Sequence, residues 1–230
     1  MSEADAERRR FLRTHAALAA SVAALVPARN TEAGGAGEKA ARIAATPPGS
    51  VSHARYFRRC VACQLCVTAC PSRVLRAGDK LFGAGWFAQP RMDFRAGYCN
   101  YDCTLCGEVC PSGAILPLAT EEKHRVQTGE AHFTESLCVV AAKHENCGAC
   151  AEHCPTLAVQ MVPYAAPNAP PGLRIPTVTP DLCVGCGACE HACPVTPERA
   201  ILVHGLAEHA TARLLEKGQE VERQVEDFGF

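Results

Sequence analysis

Cys183-Val184-Gly185-Cys186-Gly187-Ala188-Cys189-Glu190-His191-Ala192-Cys193-Pro194 is the stretch on which the reading of this 230-residue chain turns. Three cysteines separated by two residues each can wrap one face of a four-iron, four-sulfide cubane in a single short loop, and a fourth cysteine three residues on has turned away from that face. The proline that follows fixes φ and holds the preceding cysteine extended, so the chain leaves the loop instead of continuing a helical turn. Gly185 and Gly187 permit positive φ and a close approach of backbone amides to sulfur.

The same pattern recurs without a gap at Cys60, Cys63, Cys66 and Cys70-Pro71. Two further runs depart from it. Cys99, Cys103, Cys106 and Cys110-Pro111 have three residues in the first gap, Asn100-Tyr101-Asp102, which a bulged loop absorbs. Cys138 is separated by eight residues from Cys147, Cys150 and Cys154-Pro155. Cys138 is read as a ligand because Glu135-Ser136-Leu137-Cys138 resembles Asp181-Leu182-Cys183, an acid shortly before Leu-Cys; His144 is the competing non-cysteine ligand. All sixteen cysteines are then iron ligands, in runs 60–70, 99–110, 138–154 and 183–193, and the expected cofactors are four [4Fe-4S] clusters.

Other uses of cysteine fit worse. Zinc sites pair two short ligand units across a longer gap, whereas here three or four ligands crowd together and end in Cys-Pro. Thiols this dense cannot all reach acceptable bridge geometry as disulfides. No Cys-x2-Cys-His occurs, so covalent haem attachment has no support. Outside the cysteines there is no glycine-rich phosphate cradle, nucleophile elbow or isolated carboxylate constellation, and no catalytic residue is assigned. His153 and His191 stand beside fourth cysteines and are read as surface residues rather than proton couplers.

The leading cysteines recur about forty residues apart, so residues 52–203 form a fourfold repeat. Each Cys-Pro is followed by a short apolar segment read as a strand: Val74-Leu75, Ala114-Ile115-Leu116, Ala158 to Val162, and Ala200 to Val203. Leu81 to Phe94 and Ala165 to Thr179 suit hairpins and connecting loops. With one tryptophan and few other aromatics the apolar core is modest, so metal–ligand bonds must supply folding free energy and the apo chain is expected to be largely unfolded. The fold class expected is α+β: two ferredoxin-like two-cluster domains with short helices and small antiparallel sheets.

Residues 1–28 carry Arg8-Arg9-Arg10-Phe11-Leu12-Arg13 before an alanine-rich apolar stretch, and resemble a twin-arginine export signal; cleavage after Ala28 and retention as an anchor both stay open. Thiols exported unfolded would be trapped as disulfides, so export of the folded, loaded protein to the periplasm is the consistent reading, with peripheral membrane association allowed. Residues 29–51, with Gly34-Gly35, Gly37 and Pro47-Pro48-Gly49, read as a flexible linker. Residues 204–230 read as a helical tail whose Leu206, Ala210, Leu214 and Val221 form one face.

The export-like start, the four runs and the phrases Cys110-Pro111-Ser112-Gly113-Ala114-Ile115 and Cys183 to Cys189 resemble the MauM/NapG group of exported ferredoxin-type proteins. That resemblance implies an electron-transfer protein and not an enzyme, passing electrons from a membrane ferredoxin-type or quinol-oxidising partner to a periplasmic oxidoreductase. The chain is also similar to the iron-sulfur subunits of dimethyl sulfoxide reductase-type enzymes. This second resemblance implies nested pairing, in which Cys60, Cys63 and Cys66 join Cys193, and Cys183, Cys186 and Cys189 join Cys70. The inner sets would be Cys99, Cys103, Cys106 with Cys154, and Cys138, Cys147, Cys150 with Cys110. Sequential pairing of run one with two and three with four is the alternative. An obligate subunit of a molybdopterin oxidoreductase and a maturation factor for one are the rival functions. The formal charge of −1 becomes roughly −10 once the signal is removed and each of four cubanes with its thiolates adds −2, which disfavours nucleic acid as a partner and favours a mixed or basic docking surface.

Overall fold

Each cysteine run turns once into a short helix, because the residues between ligands must curl to bring three sulfurs to one side. The computed structural model describes residues 43–78, 88–166 and 169–215. The helices inside the runs are α2 (Leu65–Ala69), α3 (Leu105–Glu108), α6 (Ala149–Glu152) and α7 (Ala188–Ala192). Three others surround them: α1 (His53–Arg59), α4 (Thr120–Lys123) and α5 (Val139–Lys143). α2 and α7 end at Cys70 and Cys193 in extended geometry, with ψ of 110° and 123°, as the following prolines require. α1 is capped by the Ser52 hydroxyl, which accepts the Arg55 N–H at 3.2 Å.

Among the described residues, six strands make three two-stranded antiparallel sheets. β1 (Leu75–Ala77) pairs with β2 (Pro90–Met92), and β4 (Val159–Pro163) with β5 (Arg174–Val178). These are the two expected hairpins. β3 (Val126–Phe133) pairs with β6 (Ile201–Thr211) in a longer ladder with a register shift between Gln127 and Gly129. The α2 helix packs on α3, and α6 on α7. The core is small and shared: Tyr56, Val74, Phe94, Ile115, Val140, Ile201 and Val203 are fully buried in one cluster that also contains buried cysteines. The Tyr56 hydroxyl donates to the Pro90 carbonyl at 2.7 Å, and the buried Glu190 carboxylate accepts the Val203 N–H at 2.8 Å, tying α7 to β6. At Gly187, φ is +78° and a side chain would enter the Phe94 ring, so the last run is seated directly on the first half of the chain.

Three expectations change. The linker read over 29–51 lies outside the described residues up to 42, but its last part is built in. Residues 44–50 are buried, the Ala45 carbonyl accepts the Met92 N–H at 2.9 Å, the Gly49 carbonyl accepts the Leu116 N–H at 2.9 Å, and the Ile43 carbonyl accepts the Gly205 N–H at 2.8 Å. Pro47, Pro48 and Gly49 therefore turn the chain within a packed strap. The tail read as helical from 204 is a strand through Thr211, because Ile201, Val203 and Gly205 bury alternate positions against β3 and ladder pairing overrides helix propensity; residues 216–230 lie outside the described residues. Finally, Ala114-Ile115-Leu116 is no strand of a sheet: its one ladder-like bond goes to Gly49. The signal read over 1–28 also lies outside the described residues.

Strap and β6 meet so closely that a Cβ on Gly205 would stand 2.6 Å from the Ala44 carbonyl carbon and oxygen. Gly205→Ala is therefore expected to lower the anaerobic thermal or urea stability by about 1–3 kcal/mol. The Thr46 hydroxyl and His209 Nε2 form a 2.9 Å hydrogen bond across the same contact. Burial, with His53 adding repulsion, lowers the His209 pKa to about 4. A depressed folded-state value means the stabilisation is present above pH 6.5 and is lost as the pH falls towards 4, so a urea midpoint measured at pH 5.5 should reveal a loss of about 1 kcal/mol relative to pH 8. His209→Gln should flatten most of that slope.

Candidate iron-sulfur site

The thiols gather in fours, and in each four the last comes from a neighbouring run. One cavity is lined by Cys60, Cys63, Cys66 and Cys110, with Tyr56, Val61, Pro90 and Ile115 around them. A second is lined by Cys70, Cys99, Cys103 and Cys106, and a third by Cys138, Cys147, Cys150 and Cys193. The remaining thiols, Cys154, Cys183, Cys186 and Cys189, are mutual neighbours: burial pushes the Cys189 thiol up, and Cys186, Cys183 and Cys154 push it further. In these linings Cys110 stands with Cys60, Cys63 and Cys66, where the nested reading has Cys193, and Cys193 stands with Cys138, Cys147 and Cys150, where it has Cys110. The cause is local packing, since α2 rests on α3 and α6 on α7, and each Cys-Pro exit delivers its cysteine to the helix partner's run.

Burial is the first cause of every large shift among these thiols. It pushes Cys66, Cys106, Cys150 and Cys186 up to about 12, with neighbouring thiols adding in all four. Such groups become thiolates only when a strong cation replaces their protons. Four thiols lining one cavity, three of them from a single run, are the donor set of a cubane cluster. The sixteen cysteines fit four [4Fe-4S] clusters.

The two irregular runs are built differently. The long gap of the third run contains α5, whose N-cap is Cys138 and whose C-cap is His144 in left-handed geometry, φ 57°. Burial pushes the Cys138 thiol up, opposed by hydrogen bonds from the Val140 and Ala141 amides. His144 is exposed and lines none of the thiol cavities described. The three-residue gap of the second run is clamped from α4. The Lys123 amine donates to the Asn100 carbonyl and, at 2.9 Å, to the Tyr101 carbonyl. The His124 ring stacks on Tyr101 with centroids 3.9 Å apart and its Nε2 lies 2.9 Å from Asp102 Oδ1. The Lys123 charge opposes the upward push of burial on the Cys99 thiol.

Several site residues carry weak signals or none. In the first three runs the residue after the proline places a hydroxyl near the fourth sulfur: Ser72 at 3.6 Å from Cys70, Ser112 at 3.7 Å from Cys110 and Thr156 at 3.7 Å from Cys154. Val195 occupies that position in the last run. The Ile115 N–H donates to Cys110 Sγ at 3.4 Å; burial raises that thiol, but the amide and hydroxyl donors together leave it lowered. The repeated Cys-Pro-Ser/Thr was legible; Lys123, in a polar Glu121-Glu122-Lys123 string, was not. His153 is exposed as expected, whereas His191 is half-buried and its Nδ1–H donates to the Phe94 carbonyl at 3.2 Å. Cys63 is exposed, flanked by the exposed Val61 and Leu65.

Residues 59–114 and 143–196 each match the family described as a 4Fe-4S dicluster domain. Each match spans two consecutive runs, and the second begins after Cys138. The chain is 27% identical over 158 residues to ferredoxin-type protein NapF of Escherichia coli, covering 69% of this chain and 85% of that protein. It is 30% identical over 191 residues to ferredoxin-type protein NapG of Escherichia coli, covering 81% and 80%. Against the methylamine utilization ferredoxin-type protein MauM of Methylorubrum extorquens it is 32% identical over 201 residues, covering 84% and 87%. With cavities, thiols and relatives in agreement, the chain belongs to the ferredoxin-type 4Fe-4S dicluster proteins, homologous to MauM, NapG and NapF.

Proposed function

We propose that this protein is a one-electron relay and not an enzyme in its own right. Four [4Fe-4S] clusters are held by Cys60, Cys63, Cys66 and Cys110; by Cys70, Cys99, Cys103 and Cys106; by Cys138, Cys147, Cys150 and Cys193; and by Cys154, Cys183, Cys186 and Cys189. The observation that carries this reading is the gathering of thiols in fours around shared cavities, each drawing three from one run and one from another. A bound cubane supplies a one-electron couple with no bond made or broken. The chain's own residues then hold the thiolates, limit water at the buried ones and aim amides at sulfur, as Ile115 does at Cys110 and Val140 does at Cys138.

The donor we infer is a membrane ferredoxin-type or quinol-oxidising protein, and the acceptor a periplasmic oxidoreductase, with export in the folded state through the segment 1–28. The family of the relatives supports a redox partner at each end. Among the described residues no helix is long and apolar enough to cross a membrane, so contact with a membrane donor would be peripheral for this part of the chain.

Anaerobically purified protein should contain about sixteen iron and sixteen acid-labile sulfide per chain, and reduction should give interacting S = 1/2 signals. Four zinc and no sulfide would overturn the reading. Cys138→Ala and Cys193→Ala should each remove the same reduced-state signal and about four irons, whereas His144→Ala should leave iron content unchanged; electron paramagnetic resonance with iron analysis checks both. Rapid reoxidation of the reduced protein by a periplasmic fraction, and not by a cytosolic one, is the expected outcome for the acceptor.

A further inference from the structure

Lys123 is buried, with 6% of its surface exposed, at the end of a single-turn helix fastened by the Ala119 N–H donating to Glu122 Oε2 at 3.0 Å. Burying an ammonium is costly unless something nearby carries the opposite charge. Among the described residues its amine meets the Asn100 and Tyr101 carbonyls and the Cys99 side chain, and no carboxylate. Two carbonyl dipoles solvate a cation but do not neutralise it.

The place of this charge matters. Lys123, Cys99 and Cys186 line one cavity together with Pro48, Tyr101, Val126, Thr128 and Val184. Cys99 leads the second thiol set and Cys186 belongs to the set closed by Cys154, so the cavity lies where the two dicluster regions meet. The Cys99 N–H donates to the Cys186 carbonyl at 2.8 Å, a direct backbone link between the two sets. The only full charge found at that junction with a sign opposite to thiolate is Lys123, among the described residues lining it.

We propose that Lys123 sets the redox potential at the junction between the two dicluster regions, its buried ammonium acting as the counter-charge to the thiolate set led by Cys99. The inference rests on the relay reading above. Reduction adds one electron and one negative charge to a centre while its neighbour gives up that electron, and no proton or bond moves. A fixed positive charge at the Cys99 side favours the reduced form there, so removing it must lower that centre's potential. Lys123 is thus a positioning residue for electrons, acting through Cys99, and is also the clamp on the Asn100-Tyr101-Asp102 gap.

Full-length protein, purified anaerobically as wild type, Lys123→Met and Lys123→Arg, separates the two roles in a potentiometric titration followed by electron paramagnetic resonance. Wild-type iron content and the presence of four couples test the relay reading independently. In K123M with full iron, the reduced-to-oxidised ratio of one couple should fall about tenfold at fixed ambient potential, a shift of about 59 mV downward for one electron. The couples farthest from the junction should stay put, and K123R, which keeps the charge, should match wild type within about threefold. Unchanged couples in iron-replete K123M, or equal shifts in K123M and K123R, would overturn the proposal. If K123M loses iron, Lys123→Gln, which keeps a donor for the carbonyls without the charge, takes its place: a lowered couple supports the assignment, and loss of iron there too reduces Lys123 to a clamp and overturns it.

Discussion

A thiol buried among other thiols resists losing its proton, and everything else in this fold follows from that. Desolvation pushes Cys66, Cys106, Cys150 and Cys186 up to about 12, and all four feel their own set-mates as further repulsion. An interior of this kind is stable with iron and sulfide in its cavities and frustrated without them. The apolar residues, Tyr56, Phe94, Ile115, Val140 and Ile201 among them, form one cluster in which buried cysteines are members, so core and ligand set cannot be assembled separately.

Two regions built on the same plan are held together by elements that neither contains. The strap at 43–52 bonds to β2 and to the loop at Leu116 on one side and to β6 on the other, and Phe94 occupies the space left open by Gly187. Through these contacts the second and fourth runs face one another at Cys99 and Cys186, with α4 inserting its lysine between them. Cys106 also feels Cys66, and Cys189 feels Cys150, so the thiol sets are coupled in a line. That line begins with the set of the first run, passes through those led by Cys99 and Cys183, and ends at the set led by Cys138.

The chemistry of the site was legible because cubane ligation leaves its mark at short range. Cys-x2-Cys-x2-Cys-x3-Cys-Pro is a local code, and the hairpins after the first and third runs followed from local turn signals. Pairing is a long-range property. Spacing alone left nested and sequential arrangements open, and packing of α2 on α3 and α6 on α7 accompanies Cys110 beside the first set and Cys193 beside the third. The strap and β6 were misread for a common reason. Pro47-Pro48-Gly49 has the composition of a tether, and residues 206–215 have the composition of a helix, but each is fixed by partners far along the chain, Gly205 for Ile43 and β3 or Val51 for the end of β6. Lys123 was invisible because nothing in a Glu-Glu-Lys string distinguishes a lysine turned inward from one facing solvent.

Cys63 sits at the start of that line, exposed between Val61 and Leu65, while the other fifteen cysteines are buried or half-buried. Oxidative attack on sulfur follows thiolate character and access. The first set is therefore the one whose sulfur stands most open to dioxygen and peroxide, through Cys63.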